Sequence, residues 1–503
     1  MSFLTFSAIV EALKEKGLKI AANSNGADPF ISDAFSNSRQ VTPGSIFCCV
    51  QGEKSDGHQY ISEAKDAGAV AILCERAVET DLPVILTEST RSVMGELASL
   101  VYGNPASKML MLGVTGTNGK TTTTYILRSI LQAAKIKTGL IGTIVESDGV
   151  REVDAERTTP ESCDVQRLLA TMVKNGCGAC VMETSSHGLY IGRLDGCLFD
   201  VVIFTNLNPE HLDFHGTMEN YFQAKRLLFT KYSKKDRLAA INADDAYGAR
   251  LLEEFPDAKG FSMSKICDLQ MDRNGSSFKL NAGRQISLTS PLVGNFNVAN
   301  VLSAVSALRG RVCDAAIVRG VSEIPQVPGR LEKFRIPNGA CCIIDFAHTP
   351  EALRNVLSAA RNFCSGRLIS VFGHGGGRYQ SNRPALGEAA ASLADLVLVT
   401  MDNPRDEDPA MIADGIVHGI EKKISESGRA DKADKVDKEV KYKVILDRKE
   451  AIATALSIAG PEDVLVISGK GPEKFLTIKD QKIPYSDAGA IEEWLQAATP
   501  QNS

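Results

Sequence analysis

One segment constrains this chain more than any other: Met109-Leu-Met-Leu-Gly-Val-Thr-Gly-Thr-Asn-Gly-Lys-Thr-Thr122. Its apolar start predicts a strand, Gly116 to Gly119 a tight turn, and Lys120 the opening of a helix. Ile126, Leu127, Ile130, Leu131 and Ala134 then keep to one face of that helix. Strand, glycine turn and helix in this order make a phosphate loop. The backbone N–H groups of Gly116, Thr117, Asn118 and Gly119 can cradle phosphate oxygens, and the helix N-terminus favours an anion. Lys120 would reach the β- and γ-phosphates, Thr121 would ligate Mg²⁺, and Thr122 completes the first turn. The strict spacing asks for Gly at 114, where this chain has Val. Nucleotide binding is the expectation.

The surroundings repeat the pattern of short β-branched runs alternating with helical periodicity, which is the mark of parallel sheets with crossover helices. Further strands are expected at Val181-Met182, Val201–Phe204, Ala239–Ile241, Ile343-Ile344, Leu368–Phe372, Leu396–Val399, Val444–Leu446 and Val464–Ile467. Most end in a polar residue or Gly, where open parallel sheets bind ligands. A chain of 503 residues exceeds one core and suggests about three domains. Turn-rich joints at 102–108 and 327–329 divide it into 1–105, 106–330 and 331–503, an α/β protein throughout.

Composition narrows the function. With 44% hydrophobic and 23% charged residues the chain is ordinary globular protein, and a net charge of −5 offers no overall basic field for nucleic acid. Charged residues from Glu11 onwards interrupt the N-terminus before a signal peptide can form, and no run approaches a membrane span. Several of the 12 cysteines lie in apolar segments such as Ile46-Phe-Cys-Cys-Val50. Cys177 and Cys180 have CxxC spacing without a second such pair, so we expect inert thiols in a reduced, cytoplasmic protein. The mixed-charge stretch 421–443 is expected to be a solvated face or insertion.

Two further segments carry polar chemistry. Met182-Glu-Thr-Ser-Ser-His-Gly188 places Glu183 at a strand end, either as a magnesium ligand or within a turn capped by Thr184, Ser185 and Ser186. Thr205-Asn-Leu-Asn-Pro-Glu-His-Leu-Asp-Phe-His-Gly216 holds His211 and His215 four apart, but no Glu follows His211 to make the HExxH of a zinc protease. Three of seven histidines fall at 187, 211 and 215, marking one polar region.

These motifs, with Ala224-Lys225, GNFNVAN at 294–300, PGRLE at 328–332, DFAHTPEAL at 345–353 and DNPR at 402–405, occur in an order that resembles the Mur ligases, ATP-dependent amide-forming enzymes of peptidoglycan assembly. Within that family it is similar to the synthetases that add the third residue of the stem peptide. The resemblance implies an N-terminal domain for the UDP-sugar, a central P-loop ATPase and a Rossmann-like C-terminal domain for the amino acid. It implies that Ser36, Ser38, Glu53, Lys54 and Ser55 face the UDP-sugar, and that Thr158, Thr159, Ser185 and Arg193 hold the rest of UDP-MurNAc-L-Ala-D-Glu. Asn295, Asn297, Asn300 and Arg330 would line ATP, although the asparagines also suit a helix start. Lys225, read alone, is a solvated helical lysine. The resemblance makes it a carboxylated lysine that holds Mg²⁺ with Thr121, Glu183 and His211. Asp345 and His348 would approach the γ-phosphate when the C-terminal domain closes. Arg378, Asp402, Asn403, Pro404, Arg405, Gly469 and Glu473 would bind meso-diaminopimelate, because Arg can grip its distal carboxylate through two parallel hydrogen bonds. A monomer is expected.

The chain departs from the family pattern at several places. Asn37 replaces the usual Asp, Ile191 a frequent Gln, His374-Gly-Gly-Gly-Arg378 a GGDRD-like run, and Pro472 the His of GKGHE. The alternatives are an L-lysine-adding relative, a folylpolyglutamate synthetase, a P-loop ATPase or kinase of another class, and an idle binding subunit. The last is disfavoured by intact Lys120, Thr121, Glu183, His211 and Lys225.

Overall fold

A computed structural model describes residues 4–52, 55–281, 283–427 and 440–498. Glu53, Lys54 and the middle of the mixed-charge stretch lie outside the described residues. Two compact units form. The first contains Met1–Cys267, Lys279–Leu288 and Ala299–Glu323; the second contains Asp268–Phe278, Thr289–Val298 and Ile324–Ser503.

The first unit holds two large sheets, besides a two-stranded pairing of Leu4–Thr5 with Phe30–Ile31. Near the N-terminus a 5-stranded sheet runs in the order Ile20–Asn23, Val84–Thr87, Ala69–Cys74, Ser45–Cys48 and Asp33–Phe35. All its pairs are parallel except the first. The 8-stranded sheet has the order Glu152–Asp154, Val145–Ser147, Thr138–Ile141, Ala179–Glu183, Leu110–Thr115, Phe199–Phe204, Ser233–Asn242 and Lys259–Phe261. From Thr138–Ile141 onward every pair is parallel. Strands buried on both faces carry continuous apolar runs, and Val201 to Phe204 are wholly inaccessible. The helix after the phosphate loop is Lys120–Ala133, burying Ile126, Leu127, Ile130, Leu131 and Ala133. Ala134, expected on that face, is instead its half-buried C-cap.

The second unit contains a 6-stranded sheet in the order Glu332–Arg335, Cys341–Asp345, Val464–Ser468, Leu368–Phe372, Leu396–Val399 and Lys441–Val444. It is parallel after its antiparallel first pair. The strand expected at Val444–Leu446 lies earlier, at Lys441–Val444. Beyond it the Leu446 carbonyl accepts from Met401 N and Thr400 Oγ1, tying down a loop rather than extending the ladder. The α/β class is as expected. Among the described residues no helix is long and apolar enough to cross a membrane, and Cys177 and Cys180 are buried thiols whose pKa values burial raises.

Candidate active site

The phosphate loop lies at the carboxyl end of Leu110–Thr115, between two parallel neighbours that furnish its partners. On one side Phe204 pairs with Thr115 and the chain continues into Thr205-Asn206. Thr205 Oγ1 donates to Asn118 O at 2.6 Å, Asn206 Oδ1 accepts from Asn118 N at 2.9 Å, and Thr117 N donates to Asn206 O at 2.9 Å. This clasp demands glycine twice. Gly116 (φ +149°) and Gly119 (φ +85°) have positive φ, and a Cβ would collide with Thr205 Oγ1 at the first and Asn300 Oδ1 at the second. Asn300, 7% exposed, therefore packs against the loop. Asn295 is an exposed residue that opens helix Asn295–Leu308, and buried Asn297 donates to Val293 O, so these two also serve as helix-start residues.

On the other side Glu183 pairs with Val114 and is 1% exposed. Its Oε2 accepts from Thr121 Oγ1 at 3.0 Å and Thr143 Oγ1 at 3.0 Å, and its Oε1 from Thr143 N at 2.8 Å. Thr143 was not among the expected residues. It lies in the bend between strands Thr138–Ile141 and Val145–Ser147, and only the sheet order brings it here. From Glu183 a hydrogen-bonded chain leads outward. Thr159 Oγ1 donates to Glu183 O at 2.9 Å and accepts from Ser185 N at 3.1 Å, while Thr158 Oγ1 lies 3.1 Å from Thr143 Oγ1. Ser185 also caps the short helix Ser186–Tyr190, as the capping alternative expects. Arg193 Nη1 donates to Thr159 O at 3.1 Å and pairs with Glu161 at 3.0 Å. Glu161 further binds Arg91 and Arg157, each at 2.7 Å, leaving three guanidinium groups around one carboxylate. That excess of positive charge suits a substrate carboxylate. Neither Glu161 nor Arg91 was expected, since no local motif distinguishes them.

Lys225 is not the solvated residue its helical position suggests. In helix Met218–Thr230 it is 1% exposed, its Nζ donates to Gly116 O at 2.8 Å, and it lies 4.6 Å from the centre of the Tyr221 ring. Lys120 Nζ bonds the same carbonyl at 2.9 Å. Burial, reinforced by Lys120, pushes the Lys225 ammonium well below its ordinary pKa. His211 is an exposed residue in the left-handed region (φ +56°), 4.0 Å from Glu210. Partial desolvation by its neighbours lowers its pKa; Glu210 opposes this, whereas Lys120 and Lys225 add to it. Of the four expected metal ligands, Thr121 and Glu183 are hydrogen-bonded to each other, whereas Lys225 bonds the loop carbonyl of Gly116 and His211 lies near Glu210. Among the described residues no group of three or more His, Cys, Asp or Glu forms a metal site. The hydroxyl and carboxylate oxygens of Thr121 and Glu183 do match what a hard divalent cation takes.

Ser36 and Ser38 follow strand Asp33–Phe35, Ser38 beginning a turn capped by Asn37, and Ser55 is exposed. Glu53 and Lys54 lie outside the described residues.

In the second unit Asp345 ends Cys341–Asp345 and accepts from Leu331 N and Ala347 N, each at 2.8 Å. Burial raises its pKa, and Arg330 opposes that. Arg330 lies over the Phe346 ring at 4.9 Å, and His348 Nδ1 donates to Phe346 O at 2.9 Å. The DNPR loop follows Leu396–Val399. Arg405, in the left-handed region (φ +51°), donates through Nη1 to Gly376 O and through its backbone to Thr477 O. The alternative that it pairs with neighbouring acids is not what the structure shows for Glu407, which binds Arg383 and Gly377 N, each at 2.6 Å. Asn403 Nδ2 donates to Glu473 Oε2 at 2.8 Å, and buried Asp402 lies against Gly469. Pro404 is buried and Arg378 exposed, the latter near Gly375 beside Arg405. His374, 4% exposed, has no hydrogen-bond partner for Nδ1 among the described residues. Pro472 packs against Gly329.

A phosphate loop beside a buried carboxylate in one α/β unit, with polar loops ending the parallel strands of another, defines an α/β protein of the phosphate-loop nucleotide-binding class. Family models agree along the chain: Mur ligase family, catalytic domain over 31–104, Mur ligase middle domain over 114–308, and Mur ligase, glutamate ligase domain over 329–471. The chain belongs to the Mur ligase family. A Clostridium botulinum protein named UDP-N-acetylmuramoyl-L-alanyl-D-glutamate--2,6-diaminopimelate ligase is 38% identical over 92% of this chain and 94% of its own length. A protein of that name from Aquifex aeolicus is 39% identical over 91% of this chain and 92% of its own length. A solved structure of an enzyme of that name matches with a TM-score of 0.64 and 28% identity, covering 93% of this chain and 95% of its own.

Proposed function

We propose that this chain is an ADP-forming ligase that joins meso-2,6-diaminopimelate to the D-glutamate of UDP-MurNAc-L-Ala-D-Glu during peptidoglycan synthesis. It acts as a cytoplasmic monomer divided at 1–105, 106–330 and 331–503. An amide cannot form from a carboxylate whose leaving group is oxide. The γ-carboxylate oxygen of D-glutamate therefore attacks the γ-phosphorus of ATP, the bond to ADP breaks, and an acyl phosphate results. Phosphate-loop N–H groups and Lys120 neutralise the charge that develops. Arg193, with Arg91 and Arg157 around Glu161, holds the substrate's anionic end, and Thr158, Thr159 and Ser185 orient its peptide. The incoming amine, having lost its proton, attacks the acyl carbon; the C–N bond forms and phosphate departs. Asp345 and His348 serve the phosphate, and Asp402, Asn403, Arg405, Gly469 and Glu473 the amino acid.

Thr121 and Glu183, joined by His211 and a carboxylated Lys225, would hold Mg²⁺, which when bound supplies neutralising positive charge to phosphate oxygens. A buried, neutral lysine amine is the form that adds CO₂, giving a carbamate and a proton.

Arg405 carries the choice of amino acid. It stands at the carboxyl end of a parallel strand beside Asn403, where a planar fork can take the distal carboxylate of diaminopimelate. L-Lysine lacks that group and would bring a cation instead. The test is ADP release with both substrates present, comparing turnover efficiency for meso-diaminopimelate and L-lysine in the wild type and Arg405→Ala. The wild type should prefer diaminopimelate by up to roughly 10⁴-fold, and the variant should lose most of that preference. Better turnover of lysine, or an unchanged ratio in the variant, would refute the assignment.

A further inference from the structure

The amino-acid loops rest on a lysine that the functional reading does not use. Lys470 is wholly inaccessible. Its Nζ donates to Phe475 O at 2.6 Å, Glu473 Oε2 at 2.8 Å and Asn403 Oδ1 at 3.1 Å, so three acceptors engage the three donors of one ammonium. A buried ammonium is tolerated only when paired in this way. Asn403 Oδ1 also accepts from Thr477 N at 2.9 Å, so two donors fix which way the amide faces. Its Nδ2 then donates to Glu473 Oε2 at 2.8 Å. Both side-chain hydrogen bonds of Glu473 fall on Oε2, which leaves Oε1, on a side chain 40% exposed, to face a ligand's ammonium.

A second buried cation braces the same loops from below. Arg448, paired with Asp487 at 2.7 Å with both side chains inaccessible, donates to Met401 O at 3.2 Å and Ser468 O at 2.9 Å. Those carbonyls belong to the residues just before Asp402 and Gly469. Arg448 therefore sets the roots of the two loops, while Lys470 sets the groups that meet a substrate.

We propose that Lys470 is a positioning residue for amino-acid selection, holding the Asn403 amide and the Glu473 carboxylate in the orientation that receives the ammonium of a diamino acid. This rests on the reading that these loops bind the incoming amino acid. Without the ammonium the amide loses one of the two donors that orient it, and the carboxylate is left with the single hydrogen bond from Asn403.

The test uses the full chain with Lys470→Met and Lys470→Gln. In both, KM for meso-diaminopimelate should rise roughly ten- to hundredfold, the effect of losing charge-assisted hydrogen bonds. KM for ATP and for UDP-MurNAc-L-Ala-D-Glu should stay within about twofold, and the preference over L-lysine should shrink. In an Asn403→Ala, Glu473→Gln background, Lys470→Met should add almost nothing, because its targets are already gone. An unchanged KM for diaminopimelate, a parallel rise in all three KM values, full additivity, or failure of both variants to fold would each overturn the proposal. A wild type that does not ligate diaminopimelate defeats the functional reading instead, and is recognised before any variant is measured.

Discussion

Lys225 marks what a single position can and cannot disclose. Helical periodicity places it on a helix but does not reveal that the Gly116 carbonyl and the Tyr221 ring close over it, because both arrive from distant segments. The order of motifs identified its importance; the burial supplies the physical reason. Burial and a second lysine push this amine, 2.8 Å from a phosphate-loop carbonyl, toward its neutral form, and as a carbamate anion it would attract Lys120 where an ammonium is repelled. Lys225→Ala should accordingly abolish ligation with little change in the thermal midpoint. Activity of the wild type should fall in CO₂-depleted buffer and return with bicarbonate. Near-normal turnover by the alanine variant would end the carbamate role. Arg405, Asn403, Glu473 and Lys470 all stand in motifs, but nothing local shows that Lys470 is buried under the first three residues' loops, and Arg448 stands in no motif at all.

Among elements, the phosphate loop was the most legible because it is local: strand, glycines, lysine and helix follow one another. Val114 in place of glycine is explained by its position, wholly inaccessible within the strand and paired beside Glu183, so that the turn begins only at Gly116. The loop's partners were less legible. Thr205, Asn206 and Thr143 follow neighbouring strands whose order in the sheet no local periodicity encodes. The same geometry yields a prediction. Thr121 and Thr143 hold the Glu183 carboxylate at the end of its strand, so Thr121→Ala or Glu183→Ala should raise the Mg²⁺ needed for half-maximal ADP release and slow phosphoryl transfer. Superimposable Mg²⁺ titrations for wild type and both variants would contradict it.

Across the whole molecule, the two units share an acid sensitivity that neither the motifs nor the alternation of strands and helices discloses. His215 in the first is 6% exposed and His374 in the second 4% exposed, and each has its pKa pushed down to about 4. Burial is the main cause at both. His187, Lys225 and His211 add to it at His215 against Asp213, and Arg383, His348 and Arg378 add to it at His374 against Glu407. An unfolded histidine titrates near 6.5, so between that value and about 4 the unfolded chain binds protons that the folded chain refuses. Stability therefore rises with pH across this window, is fully present above it, and is lost as pH falls through it. From about pH 7 to about pH 5 each histidine should account for up to about 2 kcal/mol. The chain's one tryptophan, Trp494, lies in the second unit, so its fluorescence during urea unfolding reports the unit that holds His374. The midpoint should be lower at the acid end, and His374→Asn should remove much of the difference. A midpoint equal or higher at about pH 5, or a pH dependence unaltered by the substitution, would show that His374 is not the group being titrated.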